Sequence, residues 1–297
     1  MIIVGCPGQG SQTEGFLASW LDEVPDFAQE LNKLSEACDL DLLRLGTTAT
    51  EDEIKDTAIA QPLIVGASIA AFRASFSQVN IQGVVGHSVG EFAAAAISGV
   101  LSDTDAISLV KIRGQAMARA AETSETSMAA ILGGEMPEIE AKLEQLGLTI
   151  ANFNGPGQVV AAGPSHAIKL LMEAPPERAR VIELKVAGAF HTNFMTPARE
   201  ELNQACKEIR ANDPEMLLWS NSNGALVSSG ESFLESLVEQ VASPVRWDKC
   251  MQSLPADPFS FVELPPAGAL AGMVKRNVPS ATALALKTPV DFEKVVA

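Results

Sequence analysis

The ten residues GVVGHSVGEF, from Gly83 to Phe92, constrain the fold more than any other stretch of the chain. A short β-branched run, Gly83–Val85, ends at Gly86, a serine stands between two glycines, and the helix-like segment EFAAAAISGVLS begins at once. A strand that passes straight into a helix is the building unit of a mainly parallel sheet with helices on both faces. The flanking segments agree. Ile2–Gly5 reads as a strand followed by the tight loop CPGQGSQ. FLASWLDEVPDFAQELNKLSEAC has helical periodicity broken around Pro25, and Ala60–Phe76 is an apolar helix. Asp103–Glu122 is a further helix, with Asp103 or Thr104 as its expected cap.

After Thr123 the rhythm changes. MAAILGG, LTIANFNG, QVVAAG and RVIELKV read as strands, while PEIEAKLEQLG, with Pro137 in its first turn, and PSHAIKLLMEA read as helices. The order is β-α-β-β-α-β, the ferredoxin-like split unit. Alternation resumes with PAREELNQACKEI, MLLWSN, GESFLESLVEQVA, PFSFVEL, AGALAGMVKRN and ATALAL. The expected architecture is therefore α/β. A larger, α/β-hydrolase-like subdomain with a mainly parallel sheet comprises residues 1–124 and 187–297, and a small ferredoxin-like subdomain, residues 125–186, is inserted in it.

Composition bounds the partners. Lys and Arg number 21 against 37 Asp and Glu, a net charge of −16, which disfavours nucleic acid and anionic membranes as partners. No apolar stretch is expected to reach the ~20 residues that cross a bilayer. The start, MIIVGCPGQG, suits a buried first strand and not a signal peptide. Cys6, Cys38, Cys206 and Cys250 form no C-x-x-C pair and no metal-ligand spacing, as expected of free thiols in the cytoplasm.

Gly86-His87-Ser88-Val89-Gly90 matches G-x-S-x-G, the nucleophile elbow, in which the residue after the serine turns its N–H into an oxyanion hole. A plain strand–turn–helix corner is the alternative, and the strand before and helix after favour the nucleophile. A serine hydroxyl needs a base, and the chain holds three histidines. His87 adjoins Ser88 across a sharp turn and so points elsewhere, as a structural or supporting group. His166 stands at the start of a small-subdomain helix and reads as solvated. His191, in KVAGAFHTNFM, lies where the chain rejoins the larger part; it is the best candidate base, against a packed core histidine. More than a third of the chain follows it without another histidine, whereas an ordinary α/β-hydrolase places its histidine near the C-terminus. A serine hydrolase of that fold is thus disfavoured. The loop PGQGSQ lacks the G-K-[ST] ending of a phosphate-binding P-loop.

PGQGSQ, AQPLIVG, GHSVGE, KIRGQAM, GAFH and SPVRWDKCM occur in this order, and together they resemble the malonyl-CoA:acyl carrier protein transacylases and the related acyltransferase domains of polyketide synthases. The resemblance covers essentially the whole chain and looks like a discrete enzyme of type II fatty acid synthesis. It implies a ping-pong transfer. Ser88 attacks the thioester of malonyl-CoA, and the malonyl-serine ester is captured by the phosphopantetheine thiol of acyl carrier protein. His191 serves as base and then acid. A carbonyl at the position of Gln240 orients it, where the residues alone suggest a polar helix end. The resemblance places the oxyanion hole at the N–H groups of Val89 and Gln9. It places Arg113 in the acyl pocket, forked onto the free malonyl carboxylate, where an isolated reading makes it a surface arginine. Phe190 should crowd out an α-methyl group, and Gln61, Met117, Asn152 and Asn154 match pocket or loop positions.

No metal or prosthetic group is required, and a cytoplasmic monomer is expected. The chain departs from the resemblance at ELPPAGALAGMVKRN, where Pro266 and Ala267 replace a Gly-Pro-Gly turn ahead of Lys275 and Arg276, the expected carrier-docking cations. The alternatives are a trans-acting polyketide acyltransferase, an acyl-editing hydrolase on the same fold, and a non-catalytic carrier-binding scaffold. Retained Arg113 and Phe190 favour malonyl transfer.

Overall fold

The computed structural model describes residues 1–296. Its strands are β1 (Ile2–Cys6), β2 (Gly83–Gly86), β3 (Thr126–Gly133), β4 (Thr149–Phe153), β5 (Gln158–Pro164), β6 (Ala179–Glu183), β7 (Leu217–Trp219), β8 (Phe259–Glu263) and β9 (Ala281–Ala285). Five of them form one wholly parallel sheet in the order β7-β2-β1-β8-β9. Both faces of its central strands are buried. Val4 and Val84 point into a large apolar core with Trp20, Leu63, Phe92 and Ile107, while Ile3 and Val85 point into a second with Trp219, Trp247 and Phe261. Alternate side chains thus face different layers, which is why these strands read as continuous apolar runs.

The register brings the functional loops together. Cys6 pairs with Gly86, Val85 with Trp219, and Gly5 with Glu263. The loops after β1, β2 and β7 therefore leave the same carboxyl edge side by side, where open α/β sheets bind their ligands.

The helix Thr57–Ser75 corrects one expectation. Its 19 residues are long and apolar enough to cross a membrane by length and composition. The segment is largely buried inside the protein and packs beside Asp103–Glu122, so its all-round hydrophobicity serves a core helix. The cap of Asp103–Glu122 is also corrected. It is Ser102, whose Oγ accepts from the Asp105 N–H at 3.0 Å, because the first two helical residues cannot satisfy the N–H groups of their own turn.

The remaining strands form an antiparallel sheet in the order β4-β5-β3-β6, the ferredoxin-like arrangement. Met136–Leu146 and Ser165–Glu173 cover one face, packing Ile139, Leu143, Ile168 and Leu171 on Ala129 and Ile131. Met128, Val160 and Ala162, on the opposite face, join the core of the larger part. The strand expected across RVIELKV stops at Glu183; Leu184 N–H still donates to Met128 O at 2.9 Å, and the chain leaves the sheet after it. A bulge between Ile150 and Asn152 bends β4. The bent strand pairs with the larger part, Val245 N–H donating to Ala151 O and Phe153 N–H to Val245 O, both at 2.9 Å.

Candidate active site

The corner between β2 and the helix Gly90–Ile97 is tight in a way that only its glycines permit. A Cβ on Gly86 would run into the backbone of Gly90, and a Cβ on Gly90 into the carbonyl of Cys6. Ser88 is held at φ +52°, the left-handed region that a side chain resists. Such strain persists only where the surroundings over-determine it. Here Asn221, fully buried after β7, accepts the Ser88 N–H on Oδ1 at 2.8 Å and donates Nδ2–H to Gly86 O at 2.8 Å. One carboxamide thereby ties both sides of the turn.

His191 is the second non-glycine residue of the site with positive φ, at +60°. Its Nε2 lies 2.7 Å from Ser88 Oγ and its Nδ1 lies 2.8 Å from the Gln240 main-chain oxygen. A carbonyl can only accept, so Nδ1 carries the proton and Nε2 turns its lone pair to the hydroxyl. Burial, with the charge of Arg113 adding to it, pushes the imidazole down to about 3, so the ring is neutral and poised to accept a proton. Ser88 Oγ, the His191 ring and the Gln240 carbonyl thus stand in one line of hydrogen bonds.

Arg113 is buried, contrary to the reading of an isolated helix arginine. Its Nη1 donates to Gln61 Oε1 at 2.6 Å and its Nη2 to Gln240 Oε1 at 2.9 Å. Both partners are neutral amides. Its Nε–H has no partner among the described residues, and burial lowers the guanidinium to about 9 while Glu91 opposes that shift. Gln61 is itself fixed, its Nε2–H lying on Met117 Sδ at 3.5 Å.

Ser88, His191 and Arg113 share one cavity of about 180 Å³ with Gln9, Gln61, Val89, Met117, Asn152, Asn154 and Phe190. That is well below the ~300–1,000 Å³ of pockets for drug-sized ligands, so it suits a short acyl group. Neither the Gln9 nor the Val89 N–H donates a hydrogen bond among the described residues, which leaves both free for an oxyanion. Gln240 stands behind the cavity wall: its main chain holds His191 and its side chain holds Arg113. His87, half-buried with its ring edge-on to Trp247, hydrogen-bonds Asn154 Oδ1 through Nε2 at 3.0 Å and so joins the elbow to the small sheet. His166 is exposed. Lys275 and Arg276 stand in the last turn of Ala269–Asn277, and Arg276 donates to Gln158 Oε1 at 3.2 Å.

Sequence reasoning missed two groups of residues. Met128, Val160, Leu184 and Val186 form an apolar cavity wall. Period-two alternation marks Met128 and Val160 as inward-facing, but not which body they face. Asn221 and Glu91 form the polar brace under the elbow. An acid in the otherwise apolar GEFAAAAI was the available signal for Glu91, and an Asn directly after a strand at the carboxyl edge was the signal for Asn221.

Residues 5–295 match the acyl transferase domain family. The chain is 47% identical to a malonyl CoA-acyl carrier protein transacylase of Mycobacterium bovis, over 300 residues that cover 99% of each sequence. Among solved structures it is similar to MCAT from Mycobacterium tuberculosis, with a TM-score of 0.94, 46% identity and complete coverage of both chains. It is also similar to a malonyl-transacylase in complex with a type II PKS acyl-carrier protein, with a TM-score of 0.90, 28% identity and coverage of 99% and 98%.

Proposed function

The chain belongs to the acyl transferase family, and on that premise we propose that it moves a malonyl group from malonyl-CoA to the phosphopantetheine thiol of acyl carrier protein through a malonyl ester of Ser88. The observation that carries the substrate is Arg113: a buried guanidinium with neutral partners, in the same small cavity as the serine–histidine pair. A carboxylate at the far end of the acyl group supplies the directly bonded anion that Arg113 lacks, since Glu91 reaches it only through Gln240.

In the first half-reaction His191 Nε2 takes the Ser88 proton as Oγ attacks the thioester carbonyl. The tetrahedral oxyanion lies between the N–H groups of Val89 and Gln9. The Gln240 carbonyl steadies the imidazolium, which then protonates the departing CoA sulfur. The second half-reaction repeats these steps in reverse order with the carrier thiol. A thioester becomes an ester and then a thioester again, so the transfer needs no external energy source. The malonyl carboxylate also offsets the Arg113 charge that depresses His191, so the correct substrate strengthens the base that acts on it. Phe190 narrows the cavity beside the α-carbon, and Asn152 and Asn154 border it from the small sheet.

Nucleophile, base, orienting carbonyl and arginine all come from one chain, which supports a monomer as the working unit. We place it in the cytoplasm, where both thioester partners are made. Docking of an acidic carrier to an acidic enzyme requires local cations, and Lys275 with Arg276 is the proposed patch. Fatty acid synthesis is the proposed pathway. The relative seen with a type II PKS carrier makes polyketide carriers the second acceptor class to assay.

The test is intact-mass measurement of acyl-serine after mixing the protein with malonyl-CoA and acetyl-CoA in competition. The wild type should carry malonyl. An unpaired buried guanidinium costs ~3–5 kcal/mol with acetyl, so Arg113→Ala should reduce the malonyl preference by about a hundredfold or more. An unchanged preference in Arg113→Ala would remove the arginine from substrate choice.

A further inference from the structure

Glu91 follows the serine by three residues, is 1% exposed and does not line the cavity. Its two oxygens receive donors only: the Asn221 main-chain N–H reaches Oε1 at 2.7 Å, and Gln240 Nε2 donates to Oε2. Burial pushes the Glu91 carboxyl up to about 8, while the Asn221 and Gln240 donors and the charge of Arg113 pull it back down; of its two forms, the acceptor-only carboxylate is the one this set of donors fits. Gln240 is the next link. Its Nε2 also donates to the Ser88 carbonyl at 3.1 Å, while its Oε1 accepts from Arg113 Nη2 at 2.9 Å. The two ends of this amide thus face opposite demands. Glu91 and the Ser88 carbonyl can only accept, and the guanidinium can only donate.

We propose that Glu91 is a positioning residue for acyl selection: its buried carboxylate sets which end of the Gln240 carboxamide faces Arg113, and so holds the guanidinium where an acid-bearing acyl group meets it. The inference rests on the malonyl reading above. A neutral amide at position 91 meets two donors with a single oxygen. Either its NH2 group confronts the Gln240 NH2, which turns and presents its own NH2 to Arg113, or it confronts the Asn221 N–H and disturbs the elbow. The carboxylate has a second effect by charge: it opposes the burial that lowers the guanidinium. Glu91 touches neither the acyl group nor Ser88 Oγ, so it acts only through its neighbours.

The ratio of malonyl to acetyl loading on Ser88 in competition, read by intact mass, tests this. Both acyl groups use the same serine and histidine, so a purely structural role for Glu91 lowers both and leaves the ratio alone. Loss of one charge-assisted contact predicts a fall in the ratio of about tenfold or more in Glu91→Gln. Glu91→Asp, which keeps an acceptor-only carboxylate, should stay nearer the wild-type ratio than Glu91→Gln. Gln240→Met retains the main-chain carbonyl that holds His191 and should reproduce the Glu91→Gln loss. A wild-type ratio in folded Glu91→Gln, or in Gln240→Met, overturns the proposal. If Glu91→Gln gives no folded protein, Gln240→Met decides alone. A wild type without malonyl preference instead overturns the functional reading beneath it.

Discussion

The floor and the roof of the cavity are built on opposite physical terms. The floor, at the carboxyl edge of the parallel sheet, is polar, buried and strained. Ser88 and His191 have positive φ, and Asn221, Glu91, Gln240 and Arg113 hold them in one connected set of hydrogen bonds. The roof, contributed by the antiparallel sheet and the segment after it, is mostly apolar: Met128, Val160, Leu184 and Val186 meet the cavity with side chains that make no directional bond. Each floor group has few alternatives, because an unmatched buried donor or acceptor costs ~1–3 kcal/mol. Roof groups exchange shape for shape and tolerate substitution of similar volume. In the proposed reaction, chemistry therefore sits where geometry is over-determined, and the limit on acyl size sits where packing can drift.

Substitutions should separate the two. Ser88→Ala is the largest expected effect: the malonyl adduct disappears from the mass spectrum while the thermal midpoint stays near that of the wild type. An adduct that persisted would relocate the nucleophile, and Cys6, buried with its thiol pushed up by burial, is poorly suited to take the role. Asn221→Ala comes next. It leaves the Gly86 carbonyl and the Ser88 N–H without their partner, at ~1–3 kcal/mol for each buried group. A displaced nucleophile can cost up to ~10²-fold in rate, so loading should fall together with the urea midpoint. Unchanged loading in Asn221→Ala would mean that the elbow holds itself without the brace.

Met128→Ala, in the roof, should destabilise by about 2 kcal/mol, the low end of a core methionine truncation because one side already borders a cavity. Malonyl loading should change little, and longer acyl-CoAs should load better than in the wild type. Equal losses for Met128→Ala and Asn221→Ala would erase the distinction between floor and roof. The smallest effect expected is that of pH on the wild type. His191 must be neutral to act, and its pKa is pushed down to about 3, so acetyl loading should stay flat as pH falls through the ordinary imidazole value of ~6.5. Malonate compensates Arg113 and relieves part of that depression, so the acid limb for malonyl should lie at higher pH than that for acetyl. Coincident limbs would show that the Arg113 charge does not reach the base.

Alternation and glycine placement made much of the fold legible. The β-α-β-β-α-β rhythm named the second sheet, and its strand order obeys it. The strained turn at Ser88 was legible because it is local: five consecutive residues encode the turn, its strain and its relief. That His191 is the histidine beside the Ser88 hydroxyl was legible by elimination among three histidines. Arg113 and Gln240 took their meaning from resemblance, since a helix arginine and a helix-end glutamine are ordinary residues by themselves.

The tertiary structure decided what depends on long-range register. Cys6 beside Gly86 and Val85 beside Trp219 bring Gln9 and Asn221 to the serine across 79 and 133 positions of chain. Periodicity records which residues face inward and not what they meet there, so the same polar letters spelled surface or brace until the sheet was assembled. Glu91 shows the reason most clearly. Next to Phe92 and an alanine run it is one acid on an apolar helix, and only Asn221 from the loop after β7 and Gln240 from a distant helix end supply the two donors that fit a buried carboxylate.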